Sequence, residues 1–244
     1  MKKVHLHEKR AAHLALTAIA GAVLVGCGGG SVVSNDLPQG VTQRTVTTYS
    51  ATAVGSGTTA ATQDLLTAGL GRTGLGAAAA PAPADPLNPT ALELRRNAIF
   101  SNYRGILDPT ANGGYGRLYG PNITAAGVVT AGEGLIPGRE YVATLDDGTG
   151  RKQVVMAVQV PDSFDKTKPC LVVGPSSGSR GVYGAIGTAG EWGLKNGCAV
   201  ALTDTGKGIG LYDMTDDTVN KVDGTRATRA AAGALNIFAA NITD

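Results

Sequence analysis

The stretch CLVVGPSSGSRGVYGAIGTAGEWGLKNGCAVAL, residues 170–202, decides the fold. Cys170-Leu171-Val172-Val173 and Cys198-Ala199-Val200-Ala201-Leu202 are short continuous apolar runs of the kind that form buried parallel strands. Between them lie a Gly/Ser loop and then a helix expected over Val182–Lys195, with Val182, Ile186, Ala189 and Gly193 on one face. Asn196-Gly197 stops that helix. Strand, loop, helix, strand is a crossover unit, and it predicts two neighbouring parallel strands joined with right-handed connectivity. Each strand begins at a cysteine, so Cys170 and Cys198 lie at the same edge of the sheet. Two outcomes fit that placement: a pair of buried free thiols, or a disulfide worth roughly 3.5 kcal/mol on chain-entropy grounds.

Upstream, Glu140–Leu145 and Gln153–Val160 are β-prone and flank Asp146-Asp147-Gly148-Thr149-Gly150, which reads as a hairpin. Thr90-Ala91-Leu92-Glu93 is a capping box, and Leu94, Ala98, Ile99 and Tyr103 follow at helical spacing, predicting a helix over 91–104. Asp64–Leu75 has apolar content broken by glycines and reads as ordered loop. Ala77–Asp85 is a low-complexity linker, and residues 28–60 are rich in Gly, Ser, Thr and Val, as a tether would be. Ala227–Ala240 reads as an Ala-rich helix, with Asp244 just beyond it. The fold class expected is α/β: a hairpin, then strand-loop-helix-strand, an incomplete α/β-hydrolase-like sheet occupying residues 89–244 after a tether and linker over 28–88.

Residues 1–27 read as an export signal. Lys2, Lys3, Lys9 and Arg10 precede an apolar run from Ala11 to Gly26, which closes on Leu24-Val25-Gly26-Cys27. A small residue just before a cysteine at the end of such a run resembles the bacterial lipobox, which makes Cys27 the candidate lipidation site and membrane attachment point. The run is shorter than the roughly 20 residues a spanning helix needs. A secreted or outer-envelope location follows, in a compartment that permits disulfides.

Composition narrows the chemistry. The chain has 244 residues, only 5% of them aromatic, and a formal charge of +2. Beyond Arg10 there are 17 basic and 18 acidic residues, with no charged block, which excludes a nucleic-acid binder. The three histidines, His5, His7 and His13, all lie in the signal, so the exported part has no imidazole with which to activate a nucleophile. Asp213, Asp216 and Asp217 lack the spacing of a calcium loop, and nothing in the chain calls for a metal or a cofactor.

The chemistry therefore turns on Gly174-Pro175-Ser176-Ser177-Gly178-Ser179-Arg180-Gly181. Gly174-x-Ser176-x-Gly178 matches a nucleophile elbow, but an elbow enters its helix at the serine, and here Ser179, Arg180 and Gly181 delay it. A phosphate cradle is a second reading, although neither glycine-rich nucleotide pattern is present. A third is an oxyanion loop: in α/β-hydrolases the loop after the third strand lends a backbone N–H to the oxyanion. Position in the topology favours this one, with Ser176, Ser177, Gly178 and Ser179 as its candidate residues. A purely structural tight turn is the plainest alternative. Asp204, ending the second buried strand, is a weaker candidate for substrate contact or loop bracing. Trp192 reads as a packing residue.

The segments Ser177–Ile186, Ala189–Lys195 and Gly197–Ala201, with Asp64–Gly71, Glu93–Arg96, Asn112–Arg117 and Asp223-Gly224-Thr225, together resemble the extracellular D-(-)-3-hydroxybutyrate oligomer hydrolases. The resemblance runs in order over roughly residues 64–230. It implies a secreted serine esterase that cuts short 3-hydroxybutyrate oligomers, released from a storage polyester, into monomers. Family members are much longer, and their nucleophilic serine lies downstream of the matched region. No catalytic residue is carried over: the nucleophile is expected beyond Asp244, and these 244 residues are expected to be an N-terminal portion that is inactive alone. The alternative is a non-catalytic surface lipoprotein using the same fold as a binding module.

Overall fold

Nine residues of largely β-branched character, Val41–Tyr49 (VTQRTVTTY), form the first strand, β1. In the computed structural model of the protein, residues 36–52, 59–146, 153–178, 180–206, 212–221 and 225–236 are described. All but Asp36 and Leu37 belong to a compact unit that begins at Pro38. β1 pairs antiparallel with β2 (Gly138–Asp146), from Val41 opposite Leu145 to Tyr49 opposite Gly138, with a bulge between Gln43 and Thr45. β2 and β3 (Gln153–Pro161) form the expected hairpin. The linking residues 147–152 lie outside the described residues.

β4 (Leu171–Pro175) and β5 (Ala199–Thr203) are parallel neighbours, with Val172 opposite Val200, as the crossover reading requires. The sheet order is β1-β2-β3-β5-β4, with β5 antiparallel to β3. Cys170 and Cys198 are joined by a disulfide, their Cα atoms 4.6 Å apart. A smaller three-stranded sheet follows: β6 (Tyr212–Asp213), β7 (Thr218–Asn220) and β8 (Arg226–Thr228).

Among the described residues two α-helices lie between β1 and β2: the single turn α1 (Gly71–Leu75) and α2 (Ala91–Arg104). α2 has the predicted capping box, since Glu93 N donates to Thr90 Oγ1 at 3.3 Å and Thr90 N donates to Glu93 Oε2 at 2.8 Å. After β4 the chain makes a π-helical turn, Ile186–Gly190, and then α3 (Glu191–Lys195). α3 packs close to the sheet because Gly193 is bare: a Cβ there would stand 2.6 Å from Val200 Cγ2 and 3.1 Å from Val172 Cβ. The core runs continuously through Leu65, Leu66, Leu75, Ile99, Phe100, Tyr103, Ile186, Leu194, Val200 and Leu202.

Several expectations are corrected. Residues 28–88 are not a tether throughout, because β1 completes one side of the sheet and Gln63–Leu70 is buried. Asp64 organises that buried loop, its carboxylate accepting from the N–H groups of Leu66, Thr67, Gly69 and Ile136 at 2.8–3.1 Å. The folded unit therefore starts about fifty residues before residue 89. β4 is not buried: it is an edge strand, with Leu171 64% and Val173 60% exposed. The helix expected over Val182–Lys195 is regular only from Ile186, since Gly184, Gly187, Gly190 and Gly193 weaken helix propagation. Trp192 projects outward, 60% exposed. The Ala-rich segment is strand through Thr228, then one helical turn, α4 (Arg229–Ala232), where Thr228 Oγ1 accepts from Ala231 N. A 3-10 turn, Gly233–Leu235, follows α4, and residues 237–240 and those after them through Asp244 lie outside the described residues.

Candidate functional site

The loop leaving β4 is held at four points, each on a different element. Ser176 N donates to Thr203 O at 2.8 Å, extending the β4–β5 ladder by one bond. Thr205 Oγ1 donates to Gly178 O at 3.0 Å. Asn102 of α2 donates through Nδ2 to Arg180 O at 3.1 Å. Tyr183, just past the loop, donates its hydroxyl to Glu140 Oε1 of β2 at 2.8 Å. Gly178 takes φ +74°, a turn that L side chains resist, and its Cα faces open space.

That last tether ends in a buried polar cluster. Glu140 Oε1 accepts from Arg95 Nε at 2.9 Å and Oε2 from Arg95 Nη2 at 3.1 Å, while Gln159 Nε2 donates to Oε2 at 2.8 Å. Arg95 also donates to Gln63 Oε1 and Asp64 O, and its guanidinium lies 4.1 Å over the Tyr49 ring. Burial by itself would raise the Glu140 pKa, but the Arg95 charge and these donors hold it below the usual carboxylate range. Burial and the neighbouring Glu140 charge push the Tyr183 hydroxyl well up, so it stays a neutral donor. Charged residues in a helix read as solvent-facing, and only the fold brings Arg95 to Glu140; the sequence reading missed this cluster.

The loop borders a cleft of about 180 Å³ between the end of α2 and the π-helical turn. Asn102, Ile106, Pro175, Ser177, Arg180 and Thr188 are among its lining residues, and among the described residues Arg180 is the only ionised side chain lining it. Among the described residues, the backbone N–H groups of Ser177 and Gly178 find no acceptor.

The predicted candidates separate. Ser177 and Gly178 are exposed at the bend. Ser176 is buried, 8% exposed, and its Oγ has no hydrogen-bond partner among the described residues. A Cβ on Gly184 would stand 2.4 Å from that Oγ, so the hydroxyl is pressed against the turn backbone. Ser179 and Cys27 lie outside the described residues, as does Asp244, the position beyond which the nucleophile is expected. Asp204 is buried below the loop, accepting from Val155 N at 3.1 Å and Gly206 N at 2.9 Å. Burial raises its pKa against those two donors. It braces backbone. Among the described residues no group of three or more His, Cys, Asp or Glu side chains could hold a metal ion.

The arrangement is thus a bend fixed from four sides, with Ser177 and Arg180 both lining a small cleft. Comparison with known proteins adds the following. The family model described as 3HB-oligomer hydrolase matches residues 22–244. The D-(-)-3-hydroxybutyrate oligomer hydrolase of Polaromonas sp. (strain JS666 / ATCC BAA-500) is 57% identical over 235 residues, covering 94% of this chain and 32% of the relative. That of Cupriavidus necator is 56% identical over 206 residues, covering 84% of this chain and 27% of the relative. That of Burkholderia vietnamiensis is 60% identical over 183 residues, covering 75% and 26%. The chain spans about a third of the length of the first of these relatives. No solved structure matches it.

Proposed function

We propose, from the premise that this chain belongs to the 3HB-oligomer hydrolase family, that it forms the N-terminal part of a serine esterase cleaving 3-hydroxybutyrate oligomers. In this reading the fold is α/β-hydrolase-like, and the Gly174–Gly181 loop supplies oxyanion donors. The carrying observation is the four-point anchoring of a loop whose Ser177 and Gly178 N–H groups have no acceptor among the described residues. Donors fixed before reaction need no reorganisation when the ester carbonyl becomes an oxyanion, and one such donor is typically worth about 2.7–4 kcal/mol.

Ser176 is not the nucleophile in this mechanism. Its hydroxyl is buried against Gly184 and has no hydrogen-bond partner among the described residues. In this reading the attacking serine and its base lie in the part of the relatives' length that these 244 residues do not cover. Export, with Cys27 as lipid anchor, is part of the same proposal and rests on residues 1–27 alone. Among the described residues no helix is long and apolar enough to cross a membrane.

The test replaces the matching segment of the Polaromonas relative with residues 22–244 of this chain. The chimera should hydrolyse 3-hydroxybutyrate trimer and retain turnover as S176A, whereas losing a true nucleophile costs about 10⁶ in kcat. The 244-residue chain alone should show no turnover and no fluorophosphonate adduct on Ser176. An adduct there, or an inactive S176A chimera, reinstates the nucleophile-elbow reading.

A further inference from the structure

We propose that Arg180 seats the free carboxylate of the oligomer, so that the ester bond next to the acid end is the one presented to the loop. This rests on the oligomer-hydrolase reading above and adds the direction in which the substrate lies.

The observations are local to the cleft. Among the described residues, Arg180 is the only ionised side chain lining it, and no carboxylate does. Among the described residues, Arg95, Arg226 and Arg229 each have a carboxylate within ion-pair reach, and Arg180 has none. The guanidinium is nonetheless placed. It lies across the C-terminal end of α2, where a Cβ on Gly105 would stand 1.9 Å from Nη2, and the partial negative charge of a helix end favours a cation there. Asn102 of the same helix holds the Arg180 carbonyl at 3.1 Å, so backbone and side chain of this residue are both docked on α2.

The chemistry of the substrate fits this placement. A linear 3-hydroxybutyrate oligomer is anionic at one end only. From the carbonyl carbon of its last ester to the terminal carboxylate carbon is four bonds, about 5 Å when extended at ordinary bond lengths. A cleft of about 180 Å³ lined by both Ser177 and Arg180 offers room for that distance within one loop. Ile106, Pro175 and Ala185 supply apolar wall for the methyl branch. A guanidinium meets a carboxylate through two parallel N–H donors, which fixes orientation as well as charge.

The experiment is an NMR titration of the ¹⁵N-labelled 244-residue chain with 3-hydroxybutyrate trimer as the free acid and as its methyl ester. The unsubstituted chain, R180Q and R180K are compared, with far-UV circular dichroism confirming the fold of each. The free acid should bind about tenfold tighter than the ester. R180Q should abolish that preference, R180K should restore part of it, and added salt should weaken it. Equal binding of acid and ester by the unsubstituted chain overturns the Arg180 assignment while leaving the oligomer reading standing. So does an acid preference that survives in R180Q. Binding of neither form overturns the oligomer reading and this proposal with it.

Discussion

Replacing Glu140 by Gln changes one heavy atom and should remove a large share of the protein's stability. The two carboxylate oxygens of Glu140 serve five donors: Arg95 Nε, Tyr183 Oη and Tyr49 Oη on Oε1, and Arg95 Nη2 and Gln159 Nε2 on Oε2. In the least damaging orientation the new amide takes the place of Oε2, so that an NH₂ faces two donors that were 3.1 and 2.8 Å from an acceptor. The Arg95 cation is then buried without its counter-charge, a loss of about 3–5 kcal/mol. The Gln159 amide loses an acceptor, although Leu65 O at 2.8 Å retains part of its bonding, which adds about 1 kcal/mol. The total, roughly 4–6 kcal/mol, compares with about 5–15 kcal/mol of net stability for a typical domain.

Urea unfolding of the oxidised 244-residue chain, followed by far-UV circular dichroism, measures this loss. R95M should be comparably harmful, because it leaves the carboxylate buried. The double substitution R95M/E140M removes both charges and should lose less than the two single losses summed. Additivity within about 0.5 kcal/mol would refute the coupling on which this reasoning stands. Acid provides a second check. The folded-state pKa of Glu140 lies below its unfolded value, so its contribution is complete above the ordinary carboxylate range and fades as pH falls from there through the lower native value. E140M should lack that acid-dependent loss.

Two further predictions concern the two ends of the parallel β4–β5 pair, Asp204 beneath the loop and the disulfide at the opposite end. D204A should destabilise by about 1–3 kcal/mol by orphaning the N–H groups of Val155 and Gly206, while D204N, keeping an acceptor oxygen, should hold near the original value in the same urea assay. The folded pKa of Asp204 is raised by burial, so the unsubstituted chain should gain on D204N as pH falls through that raised value, the gain being complete below about 3.9. Removing the disulfide as C170S/C198S should reduce unfolding free energy by roughly 3.5 kcal/mol, read as a lower urea midpoint, given the separation of 28 residues it closes.

Local signals were the legible ones. Thr90 and Glu93 announce the start of α2 because both halves of the capping box lie within four residues. The hairpin and the β4–β5 crossover were readable because each is set by contiguous pattern and a connection of limited length. β1 was missed although VTQRTVTTY is strand-prone. Its partner lies almost a hundred residues away, and no turn joins them. Leu171 and Val173 show the converse: an apolar run fixes strand character, but whether a strand is central or at an edge is decided by sheet order. The candidate site divides in the same way. The loop was visible from its glycines and serines, whereas the cleft and the placement of Arg180 depend on α2 standing beside it, about eighty residues earlier in the chain.

The buried cluster and the loop belong to one physical requirement. A bend rich in glycine and serine has little side-chain packing to hold it, and conformational entropy of about 1–2 kcal/mol per residue favours its spreading over many shapes. Backbone donors stabilise a developing charge only if they already point at it. The rigidity must therefore come from outside the bend, and the four tethers provide it from β2, β5, α2 and the segment after β5. The β2 tether ends on a carboxylate whose position is itself fixed by four other donors, so Tyr183 cannot move without disturbing Arg95, Gln159 and Tyr49. Desolvating charge in the interior of this sheet is unfavourable, and what it secures is a loop that holds one shape at the surface.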